Sequence, residues 1–149
     1  MSNNCSSKLE TDLLENHRPV FVTTNGDSMW PLMIHKTSKI MVVPIDSEPK
    51  VYDMPLYKRE NGEYVIHRIV RIKNGRIYTR GDNRADVECI NTESILGTVK
   101  VIRNKNKAIT VNDKRYKLYI VILKLTYPLR FLVYKFRSLI RKISRRYQK

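Results

Sequence analysis

Short runs of β-branched and aromatic residues, separated by turn residues, limit most strongly how this chain can fold. The runs lie at residues 20–24, 39–44, 51–59, 64–73, 76–80, 95–103 and 107–111. Asn61-Gly62 and Asn74-Gly75 stand between consecutive runs, and Asn-Gly between extended segments is the strongest short-range signal for a β-hairpin. Helices do not alternate with these runs. The pattern therefore predicts a mainly β, antiparallel domain, built as a coiled sheet or a small barrel.

The two ends of the chain have different patterns. Residues 1–18 are predicted to be a polar segment with a short amphipathic helix at 8–16, and residues 19–113 form the β domain. In the tail, 114–149, an apolar stretch leads to Pro128, which we expect to interrupt the pattern. After the proline, apolar side chains recur at helical spacing opposite Lys and Arg, so an amphipathic helix is predicted over residues 129–147.

Positive charge is concentrated in that tail. The 149-residue chain has a formal net charge of +15, yet the first 113 residues carry 17 basic and 14 acidic side chains. The tail has 12 Lys and Arg and no acidic residue, which favours an anionic partner. We expect an in-plane anchor on a membrane surface. Packing of the apolar face on the sheet and a dimer through that face are the alternatives. Nucleic acid is not expected, since no helix-turn-helix or stacking pattern is present.

A membrane span, a cofactor and a disulfide framework are not predicted. The apolar run around residues 118–134 contains Lys124, Pro128 and Arg130, and falls short of about 20 clean residues. The polar residues 1–8 contain neither a secretory signal nor an N-terminal anchor. Cys5 and Cys89 form no framework, and the three histidines are too scattered for a metal site.

A loop with a serine at its centre follows the first predicted strand. Residues 25–33 read NGDSMWPLM, in which Gly26 permits a tight turn and Pro31 prevents a helix from starting cleanly. Ser28 is thus displayed at the end of a strand beside large apolar side chains. By itself this is also the pattern of a structural turn, because a hydroxyl needs a base to become a nucleophile.

A histidine and two carboxylates follow in order. His67 lies in the predicted strand 64–73, where it shares a face with Val65 and Ile69. After the next hairpin, the turn that begins at Gly81 carries Asp82 and Asp86. Taken singly, these are a half-buried sheet histidine and a solvated Asx turn. Taken together, they would place a carboxylate near the imidazole.

The three motifs GDSMWPLM, YVIHRIVRI and YTRGDNRAD resemble those of the signal peptidase I superfamily of serine peptidases. That superfamily also includes the self-cleaving SOS-type repressors, and the resemblance covers about residues 19–101. The base is a lysine in the bacterial branch and in the repressors. His67 stands at the matching position here, which resembles the endoplasmic-reticulum and archaeal type, and Lys58 and Lys73 are the fallback bases.

The resemblance implies a role for each site residue. Ser28 would be the nucleophile, His67 the general base and then the general acid, and a nearby carboxylate the group that orients the imidazole. We favour Asp86 as that orienting acid and Asp82 as a loop-shaping carboxylate, with Glu88 as an alternative. The floor beside the substrate would be made by Met29, Trp30 and Pro31.

Three departures from the superfamily accompany the resemblance. Gly26 stands where many members have a serine that completes the oxyanion hole, so Thr24 or Asn25 would have to substitute. Tyr52-Asp53 stands where a Gly-Asp pair often opens the strand leading to the base. The usual N-terminal membrane anchor is not found in this sequence.

The function expected from these features is that of a membrane-associated serine endopeptidase that removes a signal or leader peptide from a specialised substrate. A non-catalytic peptide-binding or membrane-docking relative is the alternative. A self-cleaving regulator is not expected, because only some 18 residues precede the first strand. The basic tail and unpaired cysteines favour the cytoplasmic face of a membrane, whereas kinship with signal peptidases favours the outer face.

Overall fold

Nine strands and one long helix dominate the described part of the chain, which in this computed structural model comprises residues 8–147, with side chains for residues 8–134. The strands are β1 (Val20–Thr23), β2 (Lys39–Val43), β3 (Pro55–Lys58), β4 (Tyr64–Ile66), β5 (Arg68–Lys73), β6 (Arg76–Arg80), β7 (Glu88–Ile90), β8 (Ile95–Asn104) and β9 (Lys107–Thr110). A π-helical turn covers Thr11–Glu15, a 3-10 turn covers Thr92–Ser94, and helix α1 spans Lys114–Tyr147. The prediction of a mainly β fold is confirmed: the antiparallel sheet curls into a half-barrel.

The strands form two sheets. The larger has six strands in the order β1-β2-β8-β3-β4, with β9 paired to β8 outside this path. The ten-residue β8 is its centre, because it pairs with β2, β3 and β9. The smaller sheet has the order β5-β6-β7. Consequently β1 and β4 are the two end strands of the larger sheet's main path.

The buried apolar side chains form two clusters. Alternate residues of β2 and β8, such as Ile40, Val42 and Val99, fill the larger cluster. The serine-bearing loop contributes to the same cluster through Met29, Leu32 and Met33, which are all buried. The smaller cluster contains Tyr57, Ile69, Ile77, Ile90 and Ile95. The loop that carries Ser28 is therefore anchored in the core of the larger sheet.

His67 lies at the point where the chain passes from one sheet to the other. The prediction of one strand over residues 64–73 is wrong, since β4 pairs with β3 in the larger sheet and β5 pairs with β6 in the smaller. Two backbone hydrogen bonds hold the smaller sheet's end of this junction. Tyr52 N–H donates to Ile69 O over 2.8 Å, and Ile69 N–H donates to Asp53 O over 2.9 Å. Strand β7 was not predicted either.

Helix α1 continues through Pro128, so the predicted interruption there is wrong. A proline cannot donate the N–H bond of a helical turn, which usually breaks or kinks a helix. Here tertiary contacts hold the helix on both sides. Tyr119 bonds to Asp82 before the proline, and Arg130 and Tyr134 bond to the same turn after it. Within residues 8–147, no helix is both long and apolar enough to cross a membrane.

A buried ion pair ties the smaller sheet to the helix. Arg68 Nε and Nη2 donate to the two carboxylate oxygens of Asp82 over 2.8 and 2.7 Å, and both side chains are 1% exposed. Arg68 Nη1 also donates to Tyr116 Oη over 2.6 Å, and Tyr119 Oη donates to Asp82 over 2.9 Å. Burial opposes the charge on Arg68, but the bonds and charge of Asp82 outweigh it, so its pKa is raised.

Replacing Asp82 with Asn should lower the free energy of unfolding by about 3–5 kcal/mol, because Arg68 would be left as a buried, uncompensated charge. Asp86→Asn is the matched control, since Asp86 is exposed, lies in the same connection and forms no ion pair with the described residues. It should change stability by less than about 0.5 kcal/mol. Urea denaturation of both variants checks this, and equal effects would contradict the structural role given to Asp82.

Candidate active site

Ser28 and His67 line one pocket of about 800 Å³. The pocket lies between the two ends of the larger sheet, since Val22, Thr23 and Thr24 border it near β1 and Tyr64, Val65 and Ile66 border it from β4. Both motifs that the sequence singles out as nucleophile and base thus meet in one cavity.

The loop around Ser28 is shaped by short-range contacts. Gly26 adopts a φ of 103°, a conformation that glycine reaches without strain, and its N–H donates to His35 Nδ1 over 2.7 Å. His35 is thereby used in holding the loop. Ser28 itself is half-buried, and the core residues Met29 and Met33 fix the chain that follows it.

The Gly81-Asp82-Asn83 turn clamps the serine loop from the other side. A Cβ atom on Gly81 would lie 2.7 Å from the carbonyl oxygen of Ser28, so only glycine fits there. Asn83 N–H donates to that same oxygen over 2.7 Å, and Asn83 Nδ2 donates to Asp27 O over 3.2 Å. The Gly-Asp-Asn motif therefore positions Ser28 through its backbone and its amide.

His67 is 7% exposed and is backed by a tyrosine and a glutamate. Its Nδ1 lies 3.2 Å from Tyr57 Oη, which donates its own proton to Glu88 Oε2. Because that single hydroxyl proton is engaged with the carboxylate, the Tyr57–His67 bond requires the proton on Nδ1. This arrangement selects the tautomer in which Nε2 carries the lone pair that a general base needs.

Glu88 is held in its charged form. Burial alone would raise the pKa of the Glu88 carboxyl, but hydrogen bonds from Tyr57 and Arg59 outweigh it and hold the pKa below its ordinary range. Its Oε2 lies 3.9 Å from His67 Nδ1. The pKa of His67 is lowered, because desolvation exceeds the opposing attraction of Glu88. His67 is thus a neutral imidazole near pH 7.

The structure places the three candidate acids differently. Glu88, the alternative, lies beside the imidazole, whereas the favoured Asp86 lies exposed at the pocket wall and forms no hydrogen bond or ion pair with the described residues. Asp82 is paired with Arg68, in agreement with a loop-shaping role. The preference for Asp86 does not match this geometry, because the chain enters β7 at Glu88 and that strand's pairing with β6 carries Glu88 to His67.

Tyr57 is a site residue that the sequence analysis missed. It lies on β3, 31 residues from Glu88, and is 1% exposed. An aromatic residue in a strand is ordinary, so no local signal distinguishes it. Its role depends on pairings that bring β3, β4 and β7 together.

Ser28 and His67 form no direct hydrogen bond in the described structure. Catalytic hydrogen bonds are often long without substrate and tighten when substrate binds. His67 Nε2 and Ser28 Oγ have no other hydrogen-bond partner among residues 8–134. Both residues line the same pocket, and no other described residue occupies either atom.

Of the two candidates for a second oxyanion donor, the geometry favours Asn25. The Thr24 hydroxyl is directed to Ile34 O and Ser38 O, at 3.0 and 3.3 Å. Asn25 is exposed, lines the pocket and bonds to no described residue. The N–H of Ser28 also donates to no described acceptor, as a primary oxyanion donor requires before substrate binds.

The predicted floor residues are separated. Met29 borders the serine pocket, but Trp30 and Pro31 line a different groove of about 350 Å³ against α1. Their placement does not match the predicted role beside the substrate, because the loop turns after Ser28 and directs Trp30 towards the helix. Neither fallback base borders the serine pocket: Lys58 is paired with Glu10 over 2.7 Å, and Lys73 is exposed at the end of β5.

No protein-family model matches this chain, and a search of curated proteins finds no match. The candidate site is therefore supported by the ordered motifs and by the geometry of these side chains.

Replacing Gly81 with Ala should displace Ser28, because the added methyl group would collide with the backbone at 2.7 Å. A displacement of about 1 Å can cost 10²-fold in rate, so reaction of Ser28 with a fluorophosphonate probe should slow by about that factor. Ala85→Gly, in the same connection, is the control for general loosening. Equal probe-labelling rates for the Gly81 variant and wild type would show that the close approach of Gly81 to Ser28 O is not required for the reactivity of Ser28.

Proposed function

We propose that this protein is a membrane-associated serine endopeptidase that cleaves a signal or leader peptide, with Ser28 as nucleophile and His67 as general base. The observation that carries the proposal is the pocket that Ser28 and the buried His67 both line, with His67 Nδ1 held by Tyr57 and Glu88. The likeness of the three motifs to the signal peptidase I superfamily supports the same reaction class.

The reaction would proceed through an acyl-enzyme. His67 Nε2 takes the hydroxyl proton as Ser28 Oγ attacks the scissile carbonyl, and the resulting imidazolium gives that proton to the leaving amine. Water then attacks the ester and gives a proton to His67, which passes it to Ser28 Oγ as the ester bond breaks and the new carboxyl terminus leaves. The developing oxyanion would be met by the Ser28 N–H and the Asn25 amide. Glu88 stabilises the imidazolium through Tyr57.

An extended peptide fits this pocket better than a compact substrate. Strands β1 and β4 lie at the two ends of the larger sheet's main path, and both border the cavity. End strands present unpaired N–H and C=O groups, to which an extended chain can add as a further strand. Backbone pairing of this kind would hold a leader segment across Ser28 with little dependence on its sequence.

The membrane part of the proposal is supported by the outer face of α1. Leu118, Leu125, Leu129 and Leu132 follow one another at helical spacing and are 60–76% exposed. We call these four residues the outer stripe. Exposed apolar stripes on a basic helix are typical of helices that lie in a membrane interface. The predicted apolar positions from 136 onward lie beyond the described side chains.

One observation favours a non-catalytic, peptide-binding relative: Ser28 Oγ and His67 are not hydrogen-bonded to each other. Such a protein would bind leader peptides in the same pocket without turning them over. The first experiment separates the two functions.

Wild-type protein, incubated with a library of leader-bearing peptides in liposomes, should release cleaved products detected by mass spectrometry. Ser28→Ala and His67→Ala should each lose about 10³-fold or more of the rate, because the nucleophile and its base act as a unit. Ser94→Ala, which removes an exposed hydroxyl from the 3-10 turn, is the matched control. Binding of peptides without cleavage by wild type would favour the non-catalytic function.

The pH dependence of kcat/KM should show an acid limb with a midpoint below about 6.5, because the pKa of His67 is lowered and the protonated form is inactive as a base. Activity therefore rises with pH through that midpoint and is already high at pH 7. Glu88→Gln should move the limb to still lower pH, since a charge that favours the imidazolium is removed, and should lower kcat.

Asp86→Asn is the comparison for that variant, because it removes a carboxylate from the same pocket without removing a contact to His67. A shift of the limb in the Asp86 variant but not in the Glu88 variant would return the orienting role to Asp86. A limb near pH 9–10 in wild type would indicate a lysine base instead.

A further inference from the structure

A second cavity of about 720 Å³ lies between the smaller sheet and α1, and Arg84 borders both this cavity and the serine pocket. Arg71, Tyr78 and Arg80 line it from β5 and β6, and Lys124, Tyr127 and Arg130 line it from the helix. We call this cavity the basic groove. Neither the proposed reaction nor the sequence motifs assign it a role.

Arg68 and Arg84 of the basic groove are paired with Asp82 and Asp27, but four of its other cations lack carboxylate partners. Arg71, Arg80, Lys124 and Arg130 form no salt bridge with the described residues. The carboxylate of Asp82 also borders the groove, but Arg68 occupies both of its oxygens. The groove therefore has an uncompensated positive field that is complementary to an anion.

The cations are also held in place by tyrosine rings. Arg80 Cζ lies 3.7 Å from the centre of the Tyr127 ring, and Arg71 Cζ lies 4.3 Å from that of Tyr78. Lys124 Nζ lies 4.4 Å from the centre of the Tyr52 ring. Stacking of this kind fixes the direction of a guanidinium before a ligand arrives, which lowers the entropic cost of binding. The pKa of Arg80 is lowered, mainly because burial disfavours its charge, as expected for a cation without an anionic partner.

The position of the groove on the helix indicates which anion it would hold. Groove residues recur at 123, 127, 130 and 134, whereas the outer stripe lies at 118, 125, 129 and 132 on the opposite face. A helix is about 10–12 Å thick with its side chains. If the outer stripe enters the acyl boundary by about 5–10 Å, the groove comes to the level of the lipid phosphates.

We propose that the basic groove binds the phosphate headgroup of an anionic phospholipid in the membrane on which the outer stripe lies. This inference rests on the membrane part of the proposed function. It adds a specific headgroup site to the general attraction between the basic helix and an anionic membrane surface. Nucleic acid and acidic peptides would also be attracted by the positive charge, but their binding in the groove would not bury the outer stripe.

Sedimentation with vesicles tests the site. Full-length protein carrying Ser28→Ala, so that cleavage plays no part, should bind phosphatidylcholine–phosphatidylglycerol vesicles more tightly than phosphatidylcholine vesicles. Arg71→Gln with Arg80→Gln should weaken binding to the anionic vesicles by roughly 25-fold, at about fivefold for each charge near the surface. Binding to neutral vesicles should be unchanged. Arg71→Gln with Lys124→Gln, both exposed, repeats the test should loss of Arg80 prevent folding.

The matched control is Arg103→Gln with Lys107→Gln, which removes the same charge from the exposed β8–β9 hairpin. It should weaken anionic-vesicle binding by less than about twofold, since neither residue lines the basic groove. Equal losses for groove and hairpin variants would overturn the site while leaving membrane association in place. Failure of the wild-type chain to bind any vesicle would overturn both.

Three further arms identify the ligand and its depth. In the first arm, inorganic phosphate should not displace the protein from vesicles, and displacement would overturn a lipid site. In the second arm, a groove variant should keep any affinity that wild type has for a single-stranded oligonucleotide, and a loss of that affinity would also overturn a lipid site. A fluorophore on Cys89, which is exposed and borders the groove, in a Cys5→Ser background, should be quenched more by headgroup nitroxides than by deep acyl nitroxides. Absence of headgroup quenching would exclude the proposed depth.

Discussion

The ion pair between Arg68 and Asp82 is the contact on which the rest of the site depends. Arg68 donates to the carbonyl of Tyr52 and to the hydroxyl of Tyr116, and Asp82 accepts a hydrogen bond from the Tyr119 hydroxyl. This one ion pair therefore links helix α1 to the segment before β3 and to the turn after β6. The desolvation penalty of burying two charges offsets much of their Coulomb attraction. We infer that this pair contributes more to holding one arrangement of the chain than to net stability. Here the arrangement is that of the turn that begins at Gly81. Because that turn holds the carbonyl of Ser28, the candidate nucleophile is positioned by a charge pair that forms no hydrogen bond with it.

The position of His67, the candidate base, depends on the same part of the chain. His67 immediately precedes Arg68, at the crossing between the two sheets. Arg68, which holds the turn through Asp82, therefore also fixes the backbone on the C-terminal side of His67. Its two supports come from different strands: Tyr57 from β3 in the larger sheet and Glu88 from β7 in the smaller. A histidine in a continuous strand would have neighbours from one sheet only. The crossing explains how a buried imidazole obtains both an apolar environment, which lowers its pKa, and a charged partner, which orients it.

Local patterns in the sequence predicted the parts of the structure that depend on local causes. The Asn-Gly turns at residues 61–62 and 74–75 connect strands as expected, and the mainly β fold follows from them. The break at His67 could not be predicted in the same way, because it depends on two backbone hydrogen bonds: Tyr52 N–H donates to Ile69 O, and Ile69 N–H donates to Asp53 O. Pro128 carries a strong local signal for a helix end, which contacts on both sides of it override. Tyr57 and Glu88 were not paired from sequence because only tertiary folding brings them together.

Helix α1 connects the proposed membrane surface to the proposed chemistry. Its inner face bonds to the turn that holds Ser28, through Tyr119 to Asp82 and through Tyr134 to Asn83, and its outer face carries the exposed stripe. Any lipid contact on the stripe or in the basic groove would therefore act on the helix that bonds to Asn83, and Asn83 N–H donates to Ser28 O. This geometry would set the height of Ser28 above the membrane without a flexible linker. A leader peptide would then be selected by the distance of its scissile bond from the lipid surface as well as by the side chains around it.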